Sequence, residues 1–305
     1  MDRISQSHYW DVKRLWEEYI KVKNDDFFYR IGWVHIYTPN QFTTYLAGRE
    51  IKDGEIVVKD VIFENTMAGF IAPNGMTKLS FSNSIAPINM ANFFAGKSID
   101  ELDLTGLDMS GVISLNSTFE KMIGSKVNLT PIAYPLGILT TEYAFSNSNI
   151  NEINIGIILT RTLINCRYMF ASSTTTTLNF ENSTDNFPLN VDMSFAFYNM
   201  QKITSLDLTN LRIWPMILNG IFLFSNSLTT LKLYSRSPAS GLHGEYCLNA
   251  LQPFSNTSGL KITIDPSLVS IDTTDKTFKI KCAYDSNATI YSYTTYEAST
   301  YTITL

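Results

Sequence analysis

Three histidines (His8, His35 and His243) and three cysteines (Cys166, Cys247 and Cys282) are the side chains best suited to ligate a metal or act as nucleophiles. Their spacing gives them no such chemistry. A tetrahedral zinc site needs four ligands, usually in two close pairs, and His243 with Cys247 is one pair without a companion. No C-x-x-C pair occurs, nor any G-x-S-x-G, P-loop or H-E-x-x-H sequence. The odd cysteine count excludes a complete disulfide framework and leaves three buried thiols, or one bridge plus a free thiol. Among the carboxylates, Asp100, Glu101 and Asp103 cluster. On a strand Glu101 and Asp103 share the outer face, which marks a solvated edge more often than an acid/base pair. Asp272 and Asp275 suit contact with a cation, but their spacing is far from that of a calcium loop. No cofactor is expected, and the chain reads as a non-enzyme.

A second polar set has more order. Ser80, Asp103, Asn128, Asn154, Asn179, Asp207, Lys232 and Thr263 are each the middle of an apolar-x-apolar triplet. They are flanked by Lys78, Glu101, Lys126, Glu152, Thr177, Ser205 and Thr230. If each triplet is a strand with alternate residues facing inward, the middle residues form one outward polar row. Such a row on a solenoid sheet is a binding face for a polar ligand such as a glycan. It is equally a solvated ladder in which Asn and Asp side chains bond one another. The candidate ligand-binding residues are Asp103, Asn128, Asn154, Asn179, Asp207 and Lys232.

The elements that position this row repeat. Phe70, Phe94, Phe119, Phe145, Phe170, Phe197, Phe224 and Phe254 each precede a triplet by about eight residues, and they are 24 to 30 residues apart. One strand per period of about 25 residues is the arithmetic of a leucine-rich-repeat coil whose strands stack as a parallel sheet. Eight turns at the strand spacing of ~4.8 Å would span roughly 35–40 Å. The phenylalanines then fall on the return side and form an internal ring spine. No repeat closes its core alone, so neighbouring turns stabilise one another.

A second aromatic often lies two residues before the phenylalanine: Tyr143, Tyr168, Phe195 and Phe222. With Leu102-Asp103-Leu104-Thr105 and Leu206-Asp207-Leu208-Thr209, this pair resembles the BspA-like surface leucine-rich-repeat family. Tyr168-Met169-Phe170 and the run from Met193 to Met200 match its aromatic-Met-Phe segment. The run from Thr204 to Asn210 matches its Ser-Leu-x-x-Leu-Asp-Leu-Ser-Asn strand. The resemblance covers about residues 62–265 and departs from the consensus at 119–139 and 171–191. It implies a leucine-rich-repeat architecture and, because members of that family are mostly surface or secreted binding proteins, a binding role.

The two ends differ from the repeat. Residues 8–23 read as an amphipathic helix, with Tyr9, Val12, Trp16 and Tyr19 at helical spacing, which suits a cap or a docking surface. Residues 27–37 read as a strand. Thr38, Pro39 and Gln41 have the spacing of a helix start with a capping box, predicting a helix to about Leu46. Asp53-Gly54 predicts a hairpin turn. Residues 235–244 form a Ser/Gly/Pro-containing loop. Residues 277–283, 288–293 and 300–305 alternate as antiparallel strands, with Asp285, Ser286 and Asn287 as a turn. They suit a cap on the sheet's open edge, or alternatively an oligomerisation strand. The expected organisation is a small α/β cap or attachment unit over 1–61, a solenoid over 62–265 and a β cap over 266–305.

Composition bounds the partners. Of the 305 residues, 45% are hydrophobic and 17% charged, enough to bury a large core, and the net charge is −5. No basic run exceeds two residues, so no nucleic-acid partner is expected. No window of about 18 apolar residues predicts a membrane span. The N-terminus lacks the apolar core of a secretory signal. These features fit a virion component, such as a phage decoration, fibre or receptor-binding module that adheres to a host protein or glycan. The N-terminal helix would then hold other virion proteins. The alternatives are a bacterial cell-surface module or a cytoplasmic interaction module, and a homo-oligomer is compatible with each.

Overall fold

In a computed structural model of the chain, the described residues are 33–131, 133, 135, 137–156, 163–180, 191–208, 216–233, 251–254, 259–264, 269–281 and 289–305. The expected helix at 8–23, residues 27–32 of the first strand, the loop at 235–244, the turn at 285–287, His8, His243, Cys247 and Cys282 lie outside them.

The triplets form strands. Alternation of apolar and polar residues buries Leu79 and Phe81, Leu102 and Leu104, Val127 and Leu129, and Ile153 and Ile155, leaving the residue between each pair outward. Successive strands pair in parallel and in register, giving a six-stranded sheet of Glu55–Lys59, Lys78–Ser82, Glu101–Asp103, Ile123–Leu129, Asn149–Ile155 and Thr177–Phe180 in chain order. A second, four-stranded sheet holds Val34–Ile36, Val61–Phe63, Ser84–Ile85 and Leu107–Asp108. A third side is a line of single parallel bridges through Asn89, Ser114, Thr140, Asn165 and Asp192. The chain is therefore a β-rich solenoid of about seven turns with few helices. Parallel pairing also reaches back beyond residue 62, through Val34–Ile36 and Glu55–Lys59.

The ring spine is present, with two corrections. Phe94, Phe119, Phe145, Phe170, Phe197, Phe222 and Phe254 stack face to face, with centroids 4.6 to 6.2 Å apart and planes within 15°. Phe222 rather than Phe224 occupies the seventh step, and Phe224 is exposed. The reason is spacing: Phe222 lies 25 residues after Phe197 and nine before Leu231, as Phe197 lies nine before Leu206. Phe70 meets Phe94 edge-on at 89°, because Phe93 stacks on Phe94 at 4.4 Å. With Phe93 the face-to-face stack has eight rings, six of them among the eight phenylalanines expected.

Both ends of the spine meet other rings. Thr38 caps the helix Pro39–Ala47 with the expected capping box to Gln41, and the buried Phe42 packs on Phe63 and Phe70 at 5.0 and 4.9 Å. At the other end Phe254 packs on Phe278 and Tyr291, and the Tyr291 hydroxyl bridges the backbone N–H and C=O of Phe254 at 3.2 Å each. Beyond the last parallel strand, Lys261–Ile264, the strand Thr302–Thr304 pairs antiparallel, followed by Thr295–Glu297. Val269–Asp272, Thr277–Ile280 and Tyr291–Ser292 make a separate antiparallel sheet. Its first strand was not anticipated. The turn between the first two strands lacks Gly or Asn; Asp272 accepts the N–H groups of Thr274 and Asp275, and Lys276 takes φ +50°. That is the role of the Asp272 and Asp275 pair: Asp272 orders a turn.

Among the described residues, the main sheet is interrupted once. Thr177–Phe180 is the last strand of the six-stranded sheet, and Ser205–Asp207 opens a second one with Thr230–Leu233 and Lys261–Ile264. The step from Leu178 to Leu206 is 28 residues, against 25 from Ile153 to Leu178. Leu178 and Phe180 are correspondingly only half-buried. The corner stays joined across this point: Phe170 N–H donates to the Ala196 carbonyl at 2.7 Å and Ser172 N–H to that of Tyr198 at 2.8 Å.

Candidate functional site

The outward row exists as a structural feature. Pairing aligns Ser80, Asp103, Asn128, Asn154 and Asn179 in five consecutive strands. Asp207, Lys232 and Thr263 form a second row in the sheet beyond the interruption. The structure therefore brings four of the six candidates together and places Asp207 and Lys232 apart from them. Asn179 Nδ2 donates to Asn154 Oδ1 at 2.7 Å, and Asn154 Nδ2 to Glu152 Oε1 at 2.9 Å. Thr130 donates to Asn128 Oδ1 at 2.8 Å, and Asp103 accepts the Thr105 N–H at 3.0 Å. Lys232 Nζ lies 3.0 Å from Asp207 Oδ2.

Beside the row runs a column whose signs alternate. Register places Glu55, Lys78, Glu101, Lys126 and Glu152 in sequence across neighbouring strands. Opposite charges on adjacent strands attract where like charges repel, so the alternation favours this stacking order. Lys78 pairs with Glu101, and Lys126 with Glu152, both at 2.8 Å. The hydrogen bonds and charge of these glutamates hold both ammonium groups above their ordinary range. Donation from Lys126, then from Asn154, holds the Glu152 carboxyl below the usual carboxylate range. A carboxyl depressed in the folded state stabilises the fold above its unfolded value, about 4.3. That contribution is lost as pH falls through the lower, folded value. Glu152→Gln should therefore lower the melting temperature slightly at neutral pH, with the difference closing in acid below the depressed carboxyl. A difference that stays constant into acid would show that the pair contributes nothing through charge.

Groups able to ligate metals do not converge: among the described residues no three His, Cys, Asp or Glu side chains are grouped to hold an ion. His35 bonds Glu64 at 2.7 Å. Cys166 is a buried thiol pushed up to about 12 by burial, so it is not a nucleophile.

The corners carry a feature that sequence reasoning did not resolve. Two residues before each spine phenylalanine the backbone is left-handed: Asn92, Ser117, Tyr143, Tyr168, Phe195, Gly220 and Gln252 have φ between +49° and +59°. Two residues after it, Gly96, Lys121, Asn147, Ser172, Asn199 and Phe224 do the same. Asn and Gly suit this conformation, while an aromatic residue does not. Yet Tyr143, Tyr168 and Phe195 occupy it in three successive turns and stack at 5.1 and 5.0 Å, with planes within 9°, on the outside of the coil. Tyr143 is 37% exposed. Arg167 lies over the Tyr168 ring, 5.8 Å from its centroid. Burial, Glu142 and the neighbouring Tyr168 raise the Tyr143 phenol above its ordinary value, so at neutral pH it is a protonated hydroxyl. Nearby, Ile88, Ile113, Leu139 and Ile164 form a column of exposed aliphatic side chains on successive turns.

No helix among the described residues is long and apolar enough to cross a membrane. No protein-family model, curated protein or solved structure matches the chain.

Proposed function

We propose that this chain is a non-enzymatic adhesion protein, a leucine-rich-repeat-type solenoid displayed on a particle such as a phage virion and binding a glycan or protein on a cell surface. The observation that carries the reading is the aligned outward row of Ser80, Asp103, Asn128, Asn154 and Asn179 on a rigidly stacked sheet. It offers hydrogen-bonding groups at strand spacing over five turns, matched to an extended polar ligand. The BspA-like kinship belongs to the same proposal, supported by the paired aromatic corners and the Leu-Asp-Leu strands. So does a capping role for the end units. In its support, Phe42 of the helix Pro39–Ala47 packs on Phe93 at one end of the spine, and the antiparallel strands Thr302–Thr304 and Thr295–Glu297 follow the last parallel strand at the other.

The test is a cell- and glycan-binding screen of the intact chain with Asn128→Ala/Asn154→Ala as the comparison. Binding is expected to fall while the melting temperature drops only slightly, because both side chains are on the outer face and Asn154 loses only its surface bonds to Glu152 and Asn179. Undiminished binding would move the site off this row. A chain that binds neither cells nor glycans, and is missing from purified particles by mass spectrometry, would overturn the adhesion reading.

A further inference from the structure

We propose that the open face of Tyr143, at the end of the outer aromatic ladder, is a stacking site for a neutral sugar ring; this rests on the adhesion reading above and names a ligand class and place for it. Stacking couples the three turns, but the buried core does not need the ladder. The internal spine is already complete beneath it, with Phe145, Phe170 and Phe197 nearly fully buried. Tyr143, Tyr168 and Phe195 stay partly exposed and adopt φ +55°, +54° and +59°, where the same corner elsewhere uses Asn92, Ser117 or Gly220. Three aromatic rings held on a disfavoured backbone and left at the surface form an interaction surface.

The ladder's two ends differ. At one end Phe195 leans over Gly220, where an added Cβ would lie 2.5 Å from its Cε1, and Tyr198 meets its ring edge-on at 5.9 Å. That end is closed. At the other end the next corner carries Ser117, small and nearly buried, so among the described residues no ring continues the stack there. The corners keep their regular spacing at this step: Ser117 N–H donates to the Glu142 carbonyl at 2.9 Å and Lys121 N–H to that of Ser146 at 2.9 Å. The step beyond Tyr143 is therefore where a fourth ring would lie, and a ligand ring fits that stack.

The rim selects the ligand. Glu120 and Lys121 belong to this corner, with Lys121 Nζ 3.3 Å from Glu120 Oε1, and Glu142 adjoins Tyr143. Both carboxylates are close enough to act on the Tyr143 phenol. Two acceptors, one ammonium donor and a phenol hydroxyl match a polyhydroxylated ring, whose C–H face meets the negative face of the aromatic. Lys121 and Arg167 offset the two carboxylates, so the rim carries no net charge to favour an ionic ligand over a neutral one.

The intact chain would be run by affinity electrophoresis through gels containing hydroxyethylcellulose, glycol chitin, amylose or galactomannan. At least one of these neutral polysaccharides is expected to retard it. Tyr143→Ala should weaken that retardation by about tenfold or more, as loss of a stacking contact does, and Tyr143→Phe should keep most of it. Ser117→Tyr fills the vacant step with the protein's own ring, in the conformation Tyr143 and Tyr168 already adopt, and should abolish binding. Circular dichroism melts of both variants separate loss of the site from loss of the fold. If Tyr143→Ala binds as the parent does while Asn128→Ala/Asn154→Ala does not, this site is wrong and the adhesion reading stands. If none of the four polysaccharides is bound, the proposal is overturned, whatever protein partner a cell-binding screen reveals.

Discussion

Phe170→Ala lowers the free energy of unfolding by about 3–5 kcal/mol, the range for removing a buried aromatic ring from a packed core. The ring is 1% exposed and lies 5.3 Å from both Phe145 and Phe197, with Phe180 edge-on at 6.3 Å. Alanine leaves a ring-sized void that stacked neighbours on fixed corners cannot fill. The position adds a second effect. Phe170 is level with the interruption of the main sheet, where the described contacts between the two parts run through the two ring stacks, the corner hydrogen bonds and the Asn165–Asp192 bridge, with no pairing in the main sheet. In a solenoid each turn is held chiefly by its neighbours, so weakening one interface loosens the coupling across it. Urea unfolding of Phe170→Ala should therefore broaden or split in two, with a reduced apparent m-value. Phe119→Ala, inside the continuous six-stranded sheet, should cost a similar amount and keep one transition. Identical curves for both variants would mean the interruption is not a mechanical boundary, and a cost under about 1 kcal/mol for either would mean that the spine does not hold the core.

The parts of this architecture visible in the sequence are those set by a rigid period. Leu102, Val127, Ile153 and Leu178 recur because a parallel ladder must repeat side chains in register, and the phenylalanines recur because each ring stacks on the last. The helix at Pro39–Ala47 was legible because Thr38, Pro39 and Gln41 meet the local needs of a helix start. Segments whose geometry comes from neighbouring turns were not legible. Ser84–Ile85 and Leu107–Asp108 are two-residue strands, too short to show a period. Phe222 and Phe224 were ambiguous because both are phenylalanines near the right distance; Gly220, two residues before Phe222 as Asn92 is before Phe94, is the signal that resolves them. The Asn and Gly corner residues hint at left-handed backbone, but Tyr143, Tyr168 and Phe195 give no such hint. Their conformation is imposed by the corners above and below, and the ladder they form was therefore hidden. For the polar row, position was readable from alternation, whereas the bonding of Asn154 to Asn179 and Glu152 required the register.

Gly106→Ala should destabilise the fold by about 3 kcal/mol, at the upper end for overpacking, although it adds one methyl group. The backbone of Gly106 is not left-handed, so the effect is steric and not conformational. A Cβ there would lie 1.9 Å from the Phe81 carbonyl oxygen, 2.6 Å from its carbon and 2.9 Å from Ser82 Cα. All three are backbone atoms of the preceding turn, and alanine has no rotamer by which to avoid them. Relief requires the two turns to separate at the point where Ser84 N–H donates to the Gly106 carbonyl at 3.2 Å and Ala86 N–H to that of Asp108 at 2.9 Å. Separation there weakens the parallel contacts of Ser84 with Leu107 and of Ile85 with Asp108, so strain at one residue spreads along the second sheet. Gly111 is the control, since a Cβ on it meets nothing within 4 Å and its φ is not positive. Gly111→Ala should be neutral or stabilising by up to about 1 kcal/mol, through the smaller entropy of its unfolded chain. Hydrogen exchange locates the damage: in Gly106→Ala the amides of Ser84 and Ala86 should lose protection before those of the ring-spine corners, such as Phe119 and Phe145. Equal stability of the two alanine variants would mean that adjacent turns do not approach at Gly106 as closely as the stacking requires.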